Sequence, residues 1–309
     1  MDRRRALARL LIAAAAGLLI AGGARAPDLP IREARWLPAG ALLEGLSREP
    51  AECLVLPSDA DERHAAAIGK IAFRAPLLLG GQAARAGLSC ASCHSNGRGN
   101  PQFLFPGISG AAGTADVTAS LMSRHRGDGT HNPRPIPDLA GPPEKRIVSH
   151  ERSSRALETF IRGLIVEEFD GPEPPPAVLD GIAAYVRAIR AEGCKGDGVP
   201  ITLRRRLDEV EAAMALAAQA DPETRRLLVA AARSTLGAID ERFRLPGLER
   251  SRSVLRITDA ELRQIRAGAI NISAWLHRWP ERRRLLEAQA RRSLFSPEML
   301  RRRIARSAR

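Results

Sequence analysis

The run Cys90-Ala91-Ser92-Cys93-His94 constrains this chain more than any other stretch. Cys-x-x-Cys-His is the attachment signature of c-type haem. The spacing suits the chemistry because two thiols must reach the two vinyl groups of one porphyrin while the next imidazole turns onto the iron. We therefore predict one covalently bound haem c, held by Cys90 and Cys93, with His94 as the proximal iron ligand.

Two other uses of paired cysteines fit the sequence less well. A zinc site would need a second Cys or His pair at ligand spacing, and the remaining cysteines, Cys53 and Cys194, stand alone. A thioredoxin-like Cys-x-x-Cys would lie among alternating strands and helices, and the residue pattern indicates no such alternation. The sequence therefore favours haem over zinc or a redox dithiol.

The amino terminus has the pattern of an export signal. Basic residues precede an apolar stretch, and the small residues that follow resemble a signal-peptidase site ending at Ala26. We predict a signal peptide over residues 1–26 and a periplasmic or otherwise exported protein. Because Pro27 disfavours cleavage directly before it, earlier cleavage, or an uncleaved segment that anchors the protein, stays open.

The two cysteines outside the motif fit that compartment. Cys53 precedes the first predicted helix and Cys194 follows the last helix of the same unit, so together they bracket the haem motif. A disulfide persists in an oxidising space. We predict a Cys53–Cys194 disulfide, with two unpaired thiols as the alternative.

Charge divides the chain near residue 199. Residues 199–309 hold 24 arginines and no lysine against 13 acidic residues, a net of +11 out of +13 for the whole chain. A length of 309 residues makes two domains a reasonable expectation. We predict a haem domain over residues 27–198 and an arginine-rich helical domain over residues 199–309.

The residue pattern of the haem domain predicts helices separated by a long irregular stretch. Apolar spacing indicates helices over residues 65–73, 154–166 and 178–189, and Ser89 suits a helix cap before the motif. Residues 96–143 are too rich in Gly, Pro, Asn and Asp for a long helix. The predicted fold class is all-α, a cytochrome c-like haem domain followed by a basic helical domain.

The residue pattern predicts four helices over residues 199–309. Good start signals stand at Asp221, Thr258 and Ser296, and the first helix begins near residue 202. Trp275 and Trp279, four residues apart, predict a shared core face. The arginine excess suits a solvated helix surface, or docking to an acidic redox partner or an anionic membrane surface. Nucleic acid is not expected as a partner of an exported protein.

The haem domain resembles class I c-type cytochromes, in which the first and last helices cross at a small residue flanked by aromatics. Gly69, Phe73 and Tyr185 stand in the matching places. More specifically, GKIAFRAPLLLGGQAARAGLSCASCHSNGRG over residues 69–99 resembles the N-terminal haem domain of bacterial dihaem cytochrome c peroxidases and methylamine-maturation enzymes. The resemblance covers roughly residues 65–190. Those enzymes carry two haem motifs and this chain carries one, so their activity is not carried over.

The sixth iron ligand has several candidates. A class I carrier uses methionine, and Met122 is the methionine between the motif and the last helix of that unit. In the dihaem relatives a histidine in the loop after the motif can bind the first haem, which favours His125, with His131 as an alternative. His150 and an open iron site complete the set. Arg98, Arg126 and Arg134 are candidates for pairing with haem propionates.

These observations predict an exported monohaem cytochrome that transfers one electron to a partner redox protein. No acid–base constellation suggests multi-electron catalysis, so we expect an electron carrier rather than a peroxidase and name no catalytic residue. One alternative is a peroxidase-like or ligand-sensing haem protein with an open or weakly ligated iron. Another is a partner-binding protein in which the helical domain docks and the haem is auxiliary.

Overall fold

The computed structural model describes residues 29–118 and 121–307, so the predicted signal peptide over residues 1–26 lies outside the described part. Across those residues the chain forms eleven α-helices and four strands of two or three residues each. The predicted all-α class is therefore confirmed. No helix in the described part is both long and apolar enough to cross a membrane.

Six of these helices precede residue 199, with short 3₁₀ turns between them. They are α1 Leu42–Ser47, α2 Ala60–Phe73, α3 Gly81–Ala86, α4 Cys90–Cys93, α5 Ala156–Gly163 and α6 Pro176–Ala188. Helix α2 is longer than predicted because Asp59 caps it five residues earlier, accepting a hydrogen bond from the Glu62 amide at 2.9 Å. Helix α5 ends in a π-helical turn over Leu164–Glu168.

Helices α2 and α6 cross at Gly69 and Gly181, where their backbones approach too closely for a side chain at Gly69. A Cβ atom built on Gly69 would lie 1.8 Å from the carbonyl oxygen of Gly181. One turn further along, the rings of Phe73 and Tyr185 meet edge to face, with centroids 5.3 Å apart. The small residue and the two aromatics singled out in the sequence therefore meet at one helix crossing.

Five helices follow residue 199. They are α7 Leu203–Gln219, α8 Pro222–Arg242, α9 Glu249–Arg266, α10 Ile272–Glu287 and α11 Pro297–Ser307. The prediction of four helices is wrong at Thr258, which lies buried inside α9 and donates its hydroxyl proton to the Val254 carbonyl oxygen at 2.8 Å. The next helix begins after Asn271, whose side chain accepts from the Ala274 amide.

The tryptophan pair of α10 lies in the core, as predicted. Trp275 and Trp279 are each 1 % exposed, and their rings stack with centroids 5.1 Å apart. The apolar cluster that contains them continues into the helices of the first unit. Residue 199 is therefore a boundary of charge and composition, and the packed core runs across it.

The amino-terminal segment, residues 29–50, joins the two parts. Its apolar residues form a second cluster with the end of the chain, made of Leu29, Ile31, Ala34, Leu42, Leu46, Leu294 and Leu300. Its strand β1 Arg48–Pro50 pairs antiparallel with β4 Gly198–Pro200. The other pair is β2 Thr114–Ala115 with β3 Arg134–Pro135, inside the irregular stretch. The predicted haem domain thus begins with residues that pack on the helical domain.

Candidate functional site

Helix α4 presents both motif cysteines from a single turn. The side chains of Ser89 and Ser92 accept hydrogen bonds from each other's backbone amides and start this four-residue helix. Because residues three apart share a helix face, Cys90 and Cys93 point to the same side. Both are thiols, half-buried against the apolar core. Burial raises the pKa of each thiol to about 12, so both are protonated at neutral pH.

His94 is oriented by a backbone carbonyl 43 residues further along the chain. Its Nδ1 lies 3.1 Å from the carbonyl oxygen of Pro137, to which a protonated Nδ1 donates. Burial lowers the pKa of His94 to about 4, which keeps the imidazole neutral. A neutral ring with Nδ1 protonated leaves Nε2 as the nitrogen for a metal. The ring of Phe73 stands 6.4 Å away, centroid to centroid.

Sequence reasoning did not identify Pro137. The residue lies deep in the Gly- and Pro-rich stretch, where no helical or strand spacing relates it to the motif. The signal that could have pointed to it is chemical, because a metal-bound histidine nearly always donates its second nitrogen to an oxygen. That rule predicts a hydrogen-bond acceptor for the second ring nitrogen of His94, but it does not predict which residue supplies the oxygen.

Further hydrogen bonds fix the segment that follows the motif. The Asn100 amide donates to the Cys93 carbonyl oxygen at 3.0 Å, and the Asn100 side chain donates to the Ser92 carbonyl oxygen at 2.9 Å. The Leu139 amide donates to the Gly97 carbonyl oxygen at 3.1 Å. The chain on either side of His94 is therefore tied down at several points.

One of the predicted sixth ligands is a buried residue of the extended apolar core. Met122 is 1 % exposed and belongs to the apolar cluster against which Cys90 and Cys93 pack. The side chain of His125 is 67 % exposed, with Nε2 3.9 Å from Asp170.

The two remaining histidine candidates differ in burial. His131 is exposed, with its Nδ1 4.0 Å from Asp116. His150 is half-buried, and burial together with Arg146 and Arg187 lowers its pKa to about 4.

The predicted propionate partners have other neighbours. Arg98 binds Asp138 and the disulfide sulfurs. Arg126 donates to the carboxylates of Glu167 and Glu168. Arg134 lies exposed on β3. Arg98 and Arg126 are thus already paired with carboxylates of the chain itself.

The sulfurs of Cys53 and Cys194 lie 1.97 Å apart, at the distance of a disulfide. Cys53 is fully buried and Cys194 is exposed. Beside the bridge, the Arg190 amide donates to the Cys53 carbonyl oxygen at 2.8 Å. The bridge thus closes the first unit where its last helix ends.

A buried charge network links the motif to the helical unit. Arg74, at the end of α2, donates to the side chain of Asn96, two residues after His94, and to Glu209 of α7 at 3.0 Å. Asn96 is buried, has a φ of 53°, and donates to the Pro50 carbonyl oxygen at 2.7 Å.

The carboxylate of Glu209 is ionised within this network. Burial alone would raise its pKa, but Arg206 and Arg74 outweigh burial and hold the pKa below the usual value. A cavity of about 390 Å³ opens beside the network, lined by both units and by the outer side of the motif. The helical unit is therefore linked, through Arg74, to a residue two positions after His94.

Comparisons with protein-family models, with curated proteins and with solved structures found no match. Within residues 29–118 and 121–307, no group of three or more His, Cys, Asp or Glu side chains could hold a bare metal ion. What the chain offers is a thiol pair and one oriented imidazole. That donor set suits a cofactor that brings its own metal ligands.

Proposed function

We propose that the protein is an exported monohaem c-type cytochrome that passes one electron to a partner redox protein. The observation that carries the proposal is the hydrogen bond from His94 Nδ1 to the Pro137 carbonyl oxygen, directly after two thiols on one helix face. Cys90 and Cys93 would form the thioether bonds, and His94 Nε2 would bind the iron. A neutral, oriented imidazole is what an axial haem ligand requires.

The helix crossing supports a class I-like cytochrome unit. The resemblance leads us to expect first and last helices that meet at a small residue and are flanked by aromatics, and α2 and α6 do so at Gly69, Phe73 and Tyr185. The backbones of Gly69 and Gly181 approach closely because neither has a side chain. This arrangement fixes α2 beside the motif through the Phe73 ring.

We infer that Met122 is the sixth ligand, in place of His125. The choice is supported by burial, because Met122 is 1 % exposed in the apolar core whereas the His125 side chain is largely exposed near Asp170. A methionine thioether favours reduced iron and raises the reduction potential. With His94 and Met122 both bound to the iron, the haem would supply one reversible electron and would leave no open coordination site for peroxide, which favours a carrier over a peroxidase.

The arginine-rich end of the chain supports an acidic partner. Helix α11 and the turn before it expose five arginines, namely Arg291, Arg292, Arg301, Arg302 and Arg306. Opposite charge steers encounter between redox proteins, and salt screens it. We expect electron exchange with an acidic redox protein to slow as salt is added. Binding to anionic vesicles with no such salt-sensitive exchange would favour a membrane surface instead.

The test is an optical and electron paramagnetic resonance study of the full chain, produced with its signal in bacteria that mature c-type cytochromes. We expect six-coordinate, low-spin haem in both redox states, no turnover of hydrogen peroxide, and the long-wavelength band of methionine-ligated ferric haem. Met122→Leu, which nearly conserves volume, should abolish that band. The matched variant His125→Ala should leave it intact.

A different pattern of results would change the assignment. Loss of low-spin character in His125→Ala alone would return the sixth ligand to His125. A high-spin iron that turns over peroxide would support the open-site alternative.

A further inference from the structure

We propose that Arg98 is a positioning residue that couples the Cys53–Cys194 disulfide to the carbonyl that orients His94. This inference rests on the proposed function. The guanidinium of Arg98 contacts the disulfide sulfurs on one side and, on the other, Asp138, the residue directly after Pro137. In this proposal the disulfide also helps to orient His94, in addition to closing the first unit.

On one side, Arg98 contacts both sulfurs of the bridge. Its Nη1 lies 3.1 Å from Cys53 Sγ and 3.6 Å from Cys194 Sγ. Cys53 is buried and its backbone is held by the end of α6 through Arg190. The disulfide is therefore a fixed contact for the Arg98 guanidinium.

On the other side, Arg98 holds the turn that carries the His94 acceptor. Its Nε donates to Asp138 Oδ2 at 2.6 Å. The other carboxylate oxygen of Asp138 accepts from the Ala140 amide at 2.9 Å, so the carboxylate is fixed from both sides. Asp138 follows Pro137 directly, and the Pro137 carbonyl oxygen accepts from His94.

The geometry of arginine is needed for this link. A planar guanidinium presents several N–H donors in a fixed fork, whereas an ammonium is a single point of charge. Arg98 reaches the disulfide with Nη1 and Asp138 with Nε at the same time. Lysine would keep the positive charge but could not span both partners. The Arg98→Lys variant therefore keeps the positive charge and removes the simultaneous contact with the disulfide and Asp138.

The consequence falls on the basicity of His94. A firm hydrogen bond from Nδ1 makes a ligating imidazole more basic, which stabilises oxidised iron and lowers the reduction potential. Loosening Arg98 from either partner loosens the turn at Pro137 and weakens that bond. Loss of the Arg98 guanidinium and loss of the Cys53–Cys194 disulfide should both raise the reduction potential of the haem iron. Because they act through one path, their effects should not add.

The experiment compares midpoint potentials of the haem-loaded full chain in four forms: wild type, Arg98→Lys, Cys53→Ala/Cys194→Ala, and the three substitutions combined. We expect each of the first two variants to favour reduced iron about threefold, a rise on the order of 30 mV for a one-electron couple. The combined variant should shift no further than the larger single effect. The matched control is Arg162→Lys, because Arg162 binds Glu173 in a similar fork and contacts neither feature.

If the double alanine variant does not fold, the purified wild type is treated with an external dithiol. The dithiol supplies two electrons and two protons, the S–S bond breaks into two thiols, and the dithiol becomes a cyclic disulfide. The same rise in potential is expected in the wild type and should be absent in Arg98→Lys. An unchanged potential in Arg98→Lys, or shifts that add, would overturn the proposal.

A second measurement does not depend on haem. The Leu139 amide, which donates to Gly97 across the same turn, should exchange with deuterium about tenfold faster in Arg98→Lys than in Arg162→Lys, since local opening sets its protection. If no form carries haem, the proposed function fails and the exchange rate still decides the positioning role. Equal exchange rates in the two variants would reject that role.

Discussion

The two halves of this molecule reach a packed core by different routes. Residues 51–198 contain a long stretch with little helix and, besides their share of the apolar core, depend on contacts that occur once: one glycine crossing, one disulfide and side-chain bonds to carbonyl oxygens. Residues 199–307 form five helices with apolar faces and many arginine–carboxylate pairs on their surface. In the first half a single substitution removes a unique support, whereas the second half spreads its stability over many similar contacts.

The difference also bears on function. The irregular stretch places the Pro137 carbonyl oxygen beside His94, which a regular helix could not do because its carbonyl groups are already paired. The helical half supplies the Glu209 carboxylate, which binds Arg74 of the first half, and Arg74 in turn donates to Asn96 beside the motif. The candidate haem-binding residues thus lie in residues 51–198, and a carboxylate of residues 199–307 helps to hold them in place.

The largest effect is expected at the helix crossing of the first half. Gly69→Ala would put a methyl group 1.8 Å from the Gly181 carbonyl oxygen, against backbone that cannot rotate away. We expect a loss of more than about 4 kcal/mol in the free energy of unfolding, seen as loss of the soluble, haem-loaded form or as a sharply lower melting temperature. Wild-type stability in this variant would contradict the observed crossing.

A slightly smaller loss is expected at the junction between the halves. Glu209→Ala removes the carboxylate shared by Arg74 and Arg206, both largely buried. Arg206 keeps its pair with Glu49 and Arg74 keeps its bond to Asn96, but both buried guanidinium groups lose one carboxylate, which should cost roughly 3 kcal/mol, measurable by urea unfolding. The control is Glu298→Ala, whose pair with Arg302 is exposed and should contribute less than about 0.5 kcal/mol. An equal loss in the free energy of unfolding for Glu209→Ala and Glu298→Ala would contradict the difference expected between the buried and the exposed ion pairs.

Loss of the disulfide is expected to act on the first half alone. The bridge closes a loop with a sequence separation of 141 residues. Cys53→Ala/Cys194→Ala should cost about 2–4 kcal/mol. Hydrogen exchange should rise in residues 51–198, while α8 and α9 keep their protection. A uniform rise over the whole chain would show that the two halves unfold as one.

Acid should weaken the junction by a smaller amount, because protonation neutralises a carboxylate without removing its atoms. The pKa of Glu209 and that of Glu49 are both held below the usual 4.5, against the opposing effect of burial, by arginines that include Arg206. A lowered pKa in the folded state means that the unfolded chain binds more protons. Stability is therefore full above about pH 4.5 and declines as pH falls through the lowered values. The decline should be shallower in Glu209→Gln.

The smallest effect has the opposite sign. Gly237 lies inside α8 with no atom within 4 Å of a built Cβ. Gly237→Ala should stabilise the protein by about 0.4–1 kcal/mol, because alanine favours the helix and restricts the unfolded chain. The same glycine-to-alanine change would then be severe in one half and favourable in the other. Destabilisation at Gly237 would contradict this comparison.

Sequence patterns predicted the regular parts of the fold and left out the long-range ones. Helical spacing located α2, α5, α6 and most of α7 to α11, but Thr258 was misread as a helix start because its hydroxyl can bond the carbonyl four residues back as well as cap. The contact of Pro137 with His94 joins residues far apart in an irregular stretch, where no periodicity operates. The packing of residues 29–50 on the end of the chain was missed for the same reason.

Intact-mass analysis under denaturing conditions tests the central claim most directly, on protein exported by bacteria that mature c-type cytochromes. We expect a mass increase of one haem per chain, retained through denaturation because Cys90 and Cys93 would hold the haem covalently. Cys90→Ala/Cys93→Ala should lose that increase, whereas Arg162→Lys should keep it. A wild-type chain with both thiols unmodified and no haem would contradict the account.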